Sequence, residues 1–84
     1  MARYSVETKL STEQAIEQAV AYFGPGGVGL EVTEQGDCCT HFVGGGGHVR
    51  VTVAAGERRT TVELETREWD YDVKQFMRKI ARSR

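Results

Sequence analysis

Four side chains that can ligate a metal ion or act as nucleophiles fall within one short stretch of the sequence: Cys38, Cys39, His41 and His48. In a β-hairpin, Cys39 and His41 share one strand face, and His48 approaches His41 from the paired strand. The same geometry would let either histidine activate Cys39 as a nucleophile. The spacing matches no common zinc pattern, and no acid or oxyanion donor is identifiable, so both interpretations remain alternatives to a structural role.

The two cysteines are neighbours in sequence and are the only ones in the chain. A disulfide between adjacent residues would strain the ring that it closes, so we expect no cross-link that staples the fold. Stability must then come from packing, and the cysteine usage favours a cytoplasmic protein.

Two glycine-rich segments invite a search for phosphate binding. Gly24–Gly29 satisfies the G-x-G-x-x-G pattern, but a helix is predicted before it and a strand after it, which is the reverse of the dinucleotide-binding context. The second segment is Gly44, Gly45, Gly46 and Gly47. Four residues without side chains weaken a strand, so they indicate a tight hairpin with a bulge, a close approach of the last helix, or a rim where a ligand or partner docks.

The charges are nearly balanced, with 11 Lys and Arg against 12 Asp and Glu in 84 residues. This balance argues against a protein built chiefly to bind nucleic acid or anionic lipid. The basic residues near the C-terminus recur at helical spacing without interleaved aromatic residues, which is typical of a solvated helix face; they are Lys74, Arg78, Lys79, Arg82 and Arg84. No apolar run is long enough to span a membrane.

Hydrophobic periodicity predicts five strands and two helices in one domain, residues 1–84. The predicted strands are 3–10, 28–33, 38–43, 49–53 and 59–69, and the predicted helices are 12–23 and a C-terminal helix that contains Val73 to Ile80. Ser11 and Gln14 form a capping box for the first helix. For the last helix, Asp70 and Asp72 compete as caps, and Asp72 is favoured because Gln75 would complete a second box.

Short turns favour antiparallel pairing, and one apolar stripe on each helix favours burial against a common sheet face. We therefore predict an α+β two-layer sandwich of order β-α-β-β-β-β-α, with a five-stranded antiparallel sheet and both helices on one face. In the third strand, Thr40 and Phe42 should face the core together with Cys38, whereas Cys39 and His41 should face away.

The order of the elements, from the strand at Tyr4–Leu10 to the helix bearing Val73–Ile80, resembles the helix-grip arrangement of START and polyketide-cyclase-like lipid-binding proteins. This chain is much shorter and carries no motif of that family. The resemblance implies a ligand pocket enclosed by the sheet, but this chain lacks the second short helix and the two strands that make the family's sheet large enough for one. The resemblance transfers no catalytic residue.

From these observations we predict a non-enzymatic binding module with no cofactor. Its groove between the last helix and the sheet would be lined by Gly44, Gly45, Gly46, Gly47, Trp69 and Phe76, and it would accept a small apolar ligand or a partner's segment. The alternative is a self-associating domain that forms a homodimer through a strand edge or the charged sheet face. A metal or thiol site at Cys39, His41 and His48 is a further alternative.

Overall fold

A computed structural model of the protein describes residues 1–82. The elements follow the predicted order, with these bounds: β1 Ala2–Thr8, α1 Thr12–Phe23, β2 Glu31–Gln35, β3 Cys39–Gly44, β4 Gly47–Ala55, β5 Thr60–Arg67 and α2 Asp70–Ala81. Arg84, which the sequence pattern places on the basic face of the last helix, lies outside the described residues.

The five strands form one antiparallel sheet in the order β1-β5-β4-β3-β2. The first strand of the chain therefore pairs with the last, and both β1 and β2 lie at free edges. The two helices pack on the same side, since the rings of Phe23 in α1 and Phe76 in α2 are 5.1 Å apart. The predicted α+β sandwich is confirmed.

The core lies between the helices and the inner face of the sheet. Alternate residues are buried from Val49 to Val53 in β4 and from Thr60 to Thr66 in β5. Thr40 and Phe42 of β3 also face inward, as predicted. Phe42 contacts Phe23 with ring centroids 5.5 Å apart, so the aromatic residues of both layers meet at the centre of the molecule.

The sequence predicted the start of the first helix correctly but not the segment that follows its end. The capping box is confirmed, because Ser11 Oγ accepts from the Gln14 amide at 3.1 Å and Gln14 Oε1 accepts from the Ser11 amide at 3.0 Å. The prediction that the next strand starts at Val28 is wrong. The amides of Val28 and Leu30 instead bond to carbonyls of the last helical turn, at Tyr22 and Phe23, because those carbonyls lack partners within the helix.

The second helix begins at Asp70, and the preference for Asp72 as its cap is wrong. Trp69 occupies the cap position without a side-chain cap bond. Tyr71, in the first turn, is 73% exposed. Asp70 and Asp72 both lie in the first turn, where carboxylates stabilise the positive end of the helix dipole. Among residues 1–82, no helix is long and apolar enough to cross a membrane.

Candidate functional site

The uncovered face of the sheet carries the two histidines in a charged row. His41, Arg50, Glu65 and Arg3 are successive cross-strand partners from β3 to β1. Arg3 Nη2 lies 3.1 Å from Glu65 Oε2, and His48 Nε2 lies 3.9 Å from Glu65 Oε1. Opposite charges that face each other across strands stabilise the sheet by roughly 0.2–1 kcal/mol per pair. This face can therefore remain in water.

The histidines approach each other as the hairpin geometry predicts, with ring centroids 5.6 Å apart. One nitrogen of His41 is already engaged, because Nδ1 lies 3.1 Å from Thr33 Oγ1. Cys39 is bonded to Cys38 and offers no thiolate. Within residues 1–82, no three His, Cys, Asp or Glu side chains are grouped so that they could hold a metal ion. The structure therefore does not assemble Cys39, His41 and His48 into a coordination site.

The adjacent cysteines form a disulfide with each other, and because the bond joins neighbours it links no distant parts of the fold. Cys38 is also exposed rather than core-facing, because it lies in the β2–β3 turn and β3 starts only at Cys39. In a regular strand, consecutive side chains point to opposite faces. The turn removes that alternation, so the two sulfur atoms can meet.

The four glycines form the connection between β3 and β4. Gly45 and Gly46 have φ angles of +57° and +79°, the left-handed pair that a tight two-residue hairpin requires. Gly44 and Gly47 pair with each other at the strand ends. A methyl group at Gly47 would overlap the carbonyl oxygen of Arg67, so β5 passes too close for any side chain there.

Trp69 covers this hairpin. Its indole N–H donates to the Gly44 carbonyl at 2.9 Å, and a methyl group on Gly45 would lie 2.7 Å from Trp69 Cζ2. Phe76 is fully buried and packs between Tyr22 and Phe23, with ring centroids 5.5 Å and 5.1 Å away. The structure thus places the hairpin and Trp69 in direct contact and puts Phe76 in the core. A ligand role for these six residues stays a prediction.

A groove between the sheet and the last helix does exist, but at the β1 edge. It has a volume of about 410 Å³ and a mostly apolar lining. Tyr4 and Val6 of β1 and Met77 of α2, all half-buried, supply the apolar surface. Lys74 and Arg78, both exposed, are the basic residues that line it.

The sequence pattern identified the inward face of β1 and the stripe of α2 separately. Strand order decides whether they meet at an edge, and the alternation of residues carries no signal for strand order. The groove was therefore missed. The alternation of Tyr4, Val6 and Thr8 was the one signal that could have placed its strand wall.

Tyr4 fixes one end of the groove. Its hydroxyl donates to Asp70 Oδ2 at 2.6 Å, and Lys74 Nζ lies 5.7 Å from the centre of its ring, within the range of a cation–π contact. The hydrogen bond to Asp70, together with burial and the charge of that carboxylate, raises the pKa of Tyr4 above its ordinary value of 10.0. The hydroxyl is therefore a neutral donor throughout the physiological range.

The two free edges of the sheet differ in how open they are to a further strand. β2 has five residues, and its register with β3 shifts between Val32 and Glu34. Short, irregular edges of this kind resist strand addition. β1 has seven residues in unbroken register with β5 and contains no proline. Its outer side presents a row of backbone donors and acceptors that the sheet leaves unpaired.

Comparison with known protein families, with curated proteins and with solved structures found no match to this chain.

Proposed function

We propose that this protein is a binding module that takes up an extended segment of a partner protein along the free edge of β1. The single observation that carries the proposal is the apolar groove that runs beside a regular, unpaired seven-residue edge strand. An added strand satisfies the backbone groups of β1, and its alternate side chains enter the groove.

The geometry supports an extended segment better than a small apolar molecule. The aromatic residues Phe23, Phe42 and Phe76, each fully buried, fill the space between the helices and the sheet. The groove at β1 lies along a strand, and a small molecule there would leave the strand's polar backbone unpaired. A peptide backbone provides those hydrogen bonds as well as the apolar side chains.

The basic residues of α2 favour a partner segment with acidic side chains. Lys74 and Arg78 are one helical turn apart, and both line the groove. In an added strand, side chains two residues apart point toward the helix layer. Two residues of an added strand span about 6–7 Å, which is close to the ~6 Å between helix residues one turn apart. We therefore infer a segment whose helix-facing positions carry apolar residues and, next to them, two carboxylates two residues apart.

A blocked seven-residue peptide of sequence Val-Thr-Val-Thr-Glu-Thr-Glu is a direct probe. Titration into ¹⁵N-labelled protein should give saturable shifts of amides in β1 and in the groove-facing residues of α2. The edge amides of β1 should exchange more slowly with solvent when the peptide is bound, because they acquire hydrogen-bond partners. The same peptide with proline at its centre should bind less tightly, since proline removes a backbone donor.

The double variant Lys74→Glu and Arg78→Glu should weaken binding of the peptide about tenfold. It removes two partly exposed ion pairs with the glutamates of the peptide, each of which contributes ~0.5–1 kcal/mol. Arg58→Glu is the matched control, because Arg58 is an exposed arginine in the β4–β5 turn and does not line the groove. Saturable shifts confined to β2 or to the charged sheet face, or no binding at millimolar peptide, would contradict the proposal.

A second copy of the chain is the competing occupant, since two β1 edges could pair antiparallel. Sedimentation of the protein alone separates the two cases. A concentration-dependent dimer that Val6→Glu abolishes would mean that β1 serves self-association rather than a partner segment.

We propose that the protein acts in the cytoplasm. We also keep the resemblance to helix-grip proteins as a proposal, which the order of the elements supports.

A further inference from the structure

The β2–β3 turn holds the disulfide between Cys38 and Cys39 on the surface of the protein. Cys38 is exposed and Cys39 half-buried. The backbone of the pair is anchored on both sides, because the Cys38 carbonyl accepts from the Val53 amide and the Cys39 carbonyl accepts from the Gly36 amide, each at 2.8 Å. The two sulfur atoms therefore sit on a turn that the rest of the sheet holds in place.

This disulfide contributes little to the stability of the fold. Cross-links stabilise proteins chiefly by closing a long loop of the unfolded chain, and a bond between neighbouring residues closes none. The turn is independently held by the β2–β3 ladder and by the bond to Val53. Reduction of the pair should leave the fold intact. An accessible disulfide without a structural task is typical of reversible thiol chemistry.

We propose that Cys38 and Cys39 form a thiol–disulfide exchange site that accepts two electrons from a dithiol. A thiolate of the dithiol attacks the sulfur of Cys38, the more exposed residue. The Cys38–Cys39 bond breaks, and Cys39 leaves as a thiolate that takes a proton from water. The second thiolate of the reductant then attacks its own sulfur in the mixed disulfide, releasing Cys38, which is protonated in turn. The dithiol is oxidised to a disulfide, and the protein gains two electrons and two protons.

The test uses the native protein and dithiothreitol as the dithiol. Before treatment, no thiol should react with a chromogenic disulfide reagent under native conditions. After treatment and removal of the reductant, two thiols per chain should react, and the intact mass should rise by two hydrogen atoms. The circular dichroism spectrum should stay the same. Mild oxidation should restore the original mass with no covalent dimer.

Single variants test the assigned order of attack. Cys39→Ser leaves the more exposed thiol, and it should form a mixed disulfide with oxidised glutathione faster than Cys38→Ser. The proposal is overturned if the disulfide is reduced only in denaturant, if reduction unfolds the protein, or if isolated chains carry two thiols that mild oxidation does not join. A faster reaction of Cys38→Ser would overturn the assignment of Cys38 as the attacked sulfur. None of these measurements involves the β1 groove, so they test the exchange site independently of the proposed binding of a partner segment.

Discussion

Two buried threonines provide a matched test of how side-chain hydrogen bonds hold the helix layer on the sheet. Thr8 and Thr40 are 0% and 1% exposed. The Thr8 hydroxyl donates to the Ile80 carbonyl in α2 at 2.6 Å and accepts from the Leu10 amide at 3.2 Å. The Thr40 hydroxyl has no hydrogen-bond partner among the described residues. Threonine to valine keeps the shape of either side chain and replaces only the hydroxyl, by a methyl group.

Thr8→Val should lower the free energy of unfolding by about 1–2 kcal/mol. Two hydrogen bonds are lost, each with a net contribution of about 0.5–1.5 kcal/mol, and the added methyl group returns part of that by apolar burial. The Ile80 carbonyl keeps a second partner in the Arg82 amide, so the loss stays below the cost of a fully unpaired carbonyl. The Leu10 amide is the group left without its bond.

Thr40→Val should raise the free energy of unfolding, by about 1 kcal/mol or more, because an unpaired buried hydroxyl is replaced by an apolar group. Urea unfolding of the wild type and both variants measures the difference, with an unchanged m-value as the sign that only stability has altered. If Thr40→Val destabilises the protein as much as Thr8→Val, or if Thr8→Val has no effect, the assigned hydrogen bonds do not stabilise the fold.

Four further substitutions test other contacts. Gly47→Ala should lower the free energy of unfolding by about 3 kcal/mol or more, because its methyl group would overlap the Arg67 carbonyl oxygen. Gly46→Ala meets open space and should lower it only by the roughly 1–2 kcal/mol of a left-handed backbone, and urea midpoints that rank the two in the opposite order would refute this. Asp70→Asn should lower the pKa of Tyr4 toward its ordinary 10.0, which the ring ¹³C shift of Tyr4 measures as a function of pH. In the wild type, the hydrogen bond from Tyr4 to Asp70 should stabilise the fold in full below pH 10.0, and this stabilisation should be lost as pH rises through the raised pKa. Phe76→Ala should lower the free energy of unfolding by about 3–5 kcal/mol, because it opens a cavity beside Tyr22 and Phe23. A variant as stable as the wild type would mean that Phe76 is not a core residue.

The sequence predicted the structure correctly where the conformation of a residue depends only on the residues next to it in the chain. Alternation at Thr40 and Phe42 set the inward face of β3, and the Ser11–Gln14 box set the start of α1, because both depend on local backbone geometry. The prediction failed at Val28, where local alternation indicated a strand. The unpaired carbonyls at the end of α1 took its amide instead, and that competition depends on how the chain turns back.

The contacts of the two histidines and of the two cysteines show the same limit. The approach of His41 to His48 follows from the hairpin register alone, and the rings are 5.6 Å apart. The disulfide could not be anticipated from strand geometry, because Cys38 belongs to the turn and not to β3. Whether the side chains of two neighbouring residues can meet depends on whether the strand begins at the first or at the second of them. A sequence pattern does not determine the end of a strand to within one residue.

The position of the groove follows from the topology and not from any one residue. The first strand pairs with the last, so β1 becomes an edge and α2, which follows the last strand directly, crosses back beside it. The bond from the Tyr4 hydroxyl to Asp70 ties the start of the helix to this edge, and the bond from Thr8 to Ile80 ties its end. Between those two ties the helix is held alongside β1 without a further strand beyond it. The apolar residues Val6 and Met77 are therefore half-buried, and an added strand is the element that would complete their burial.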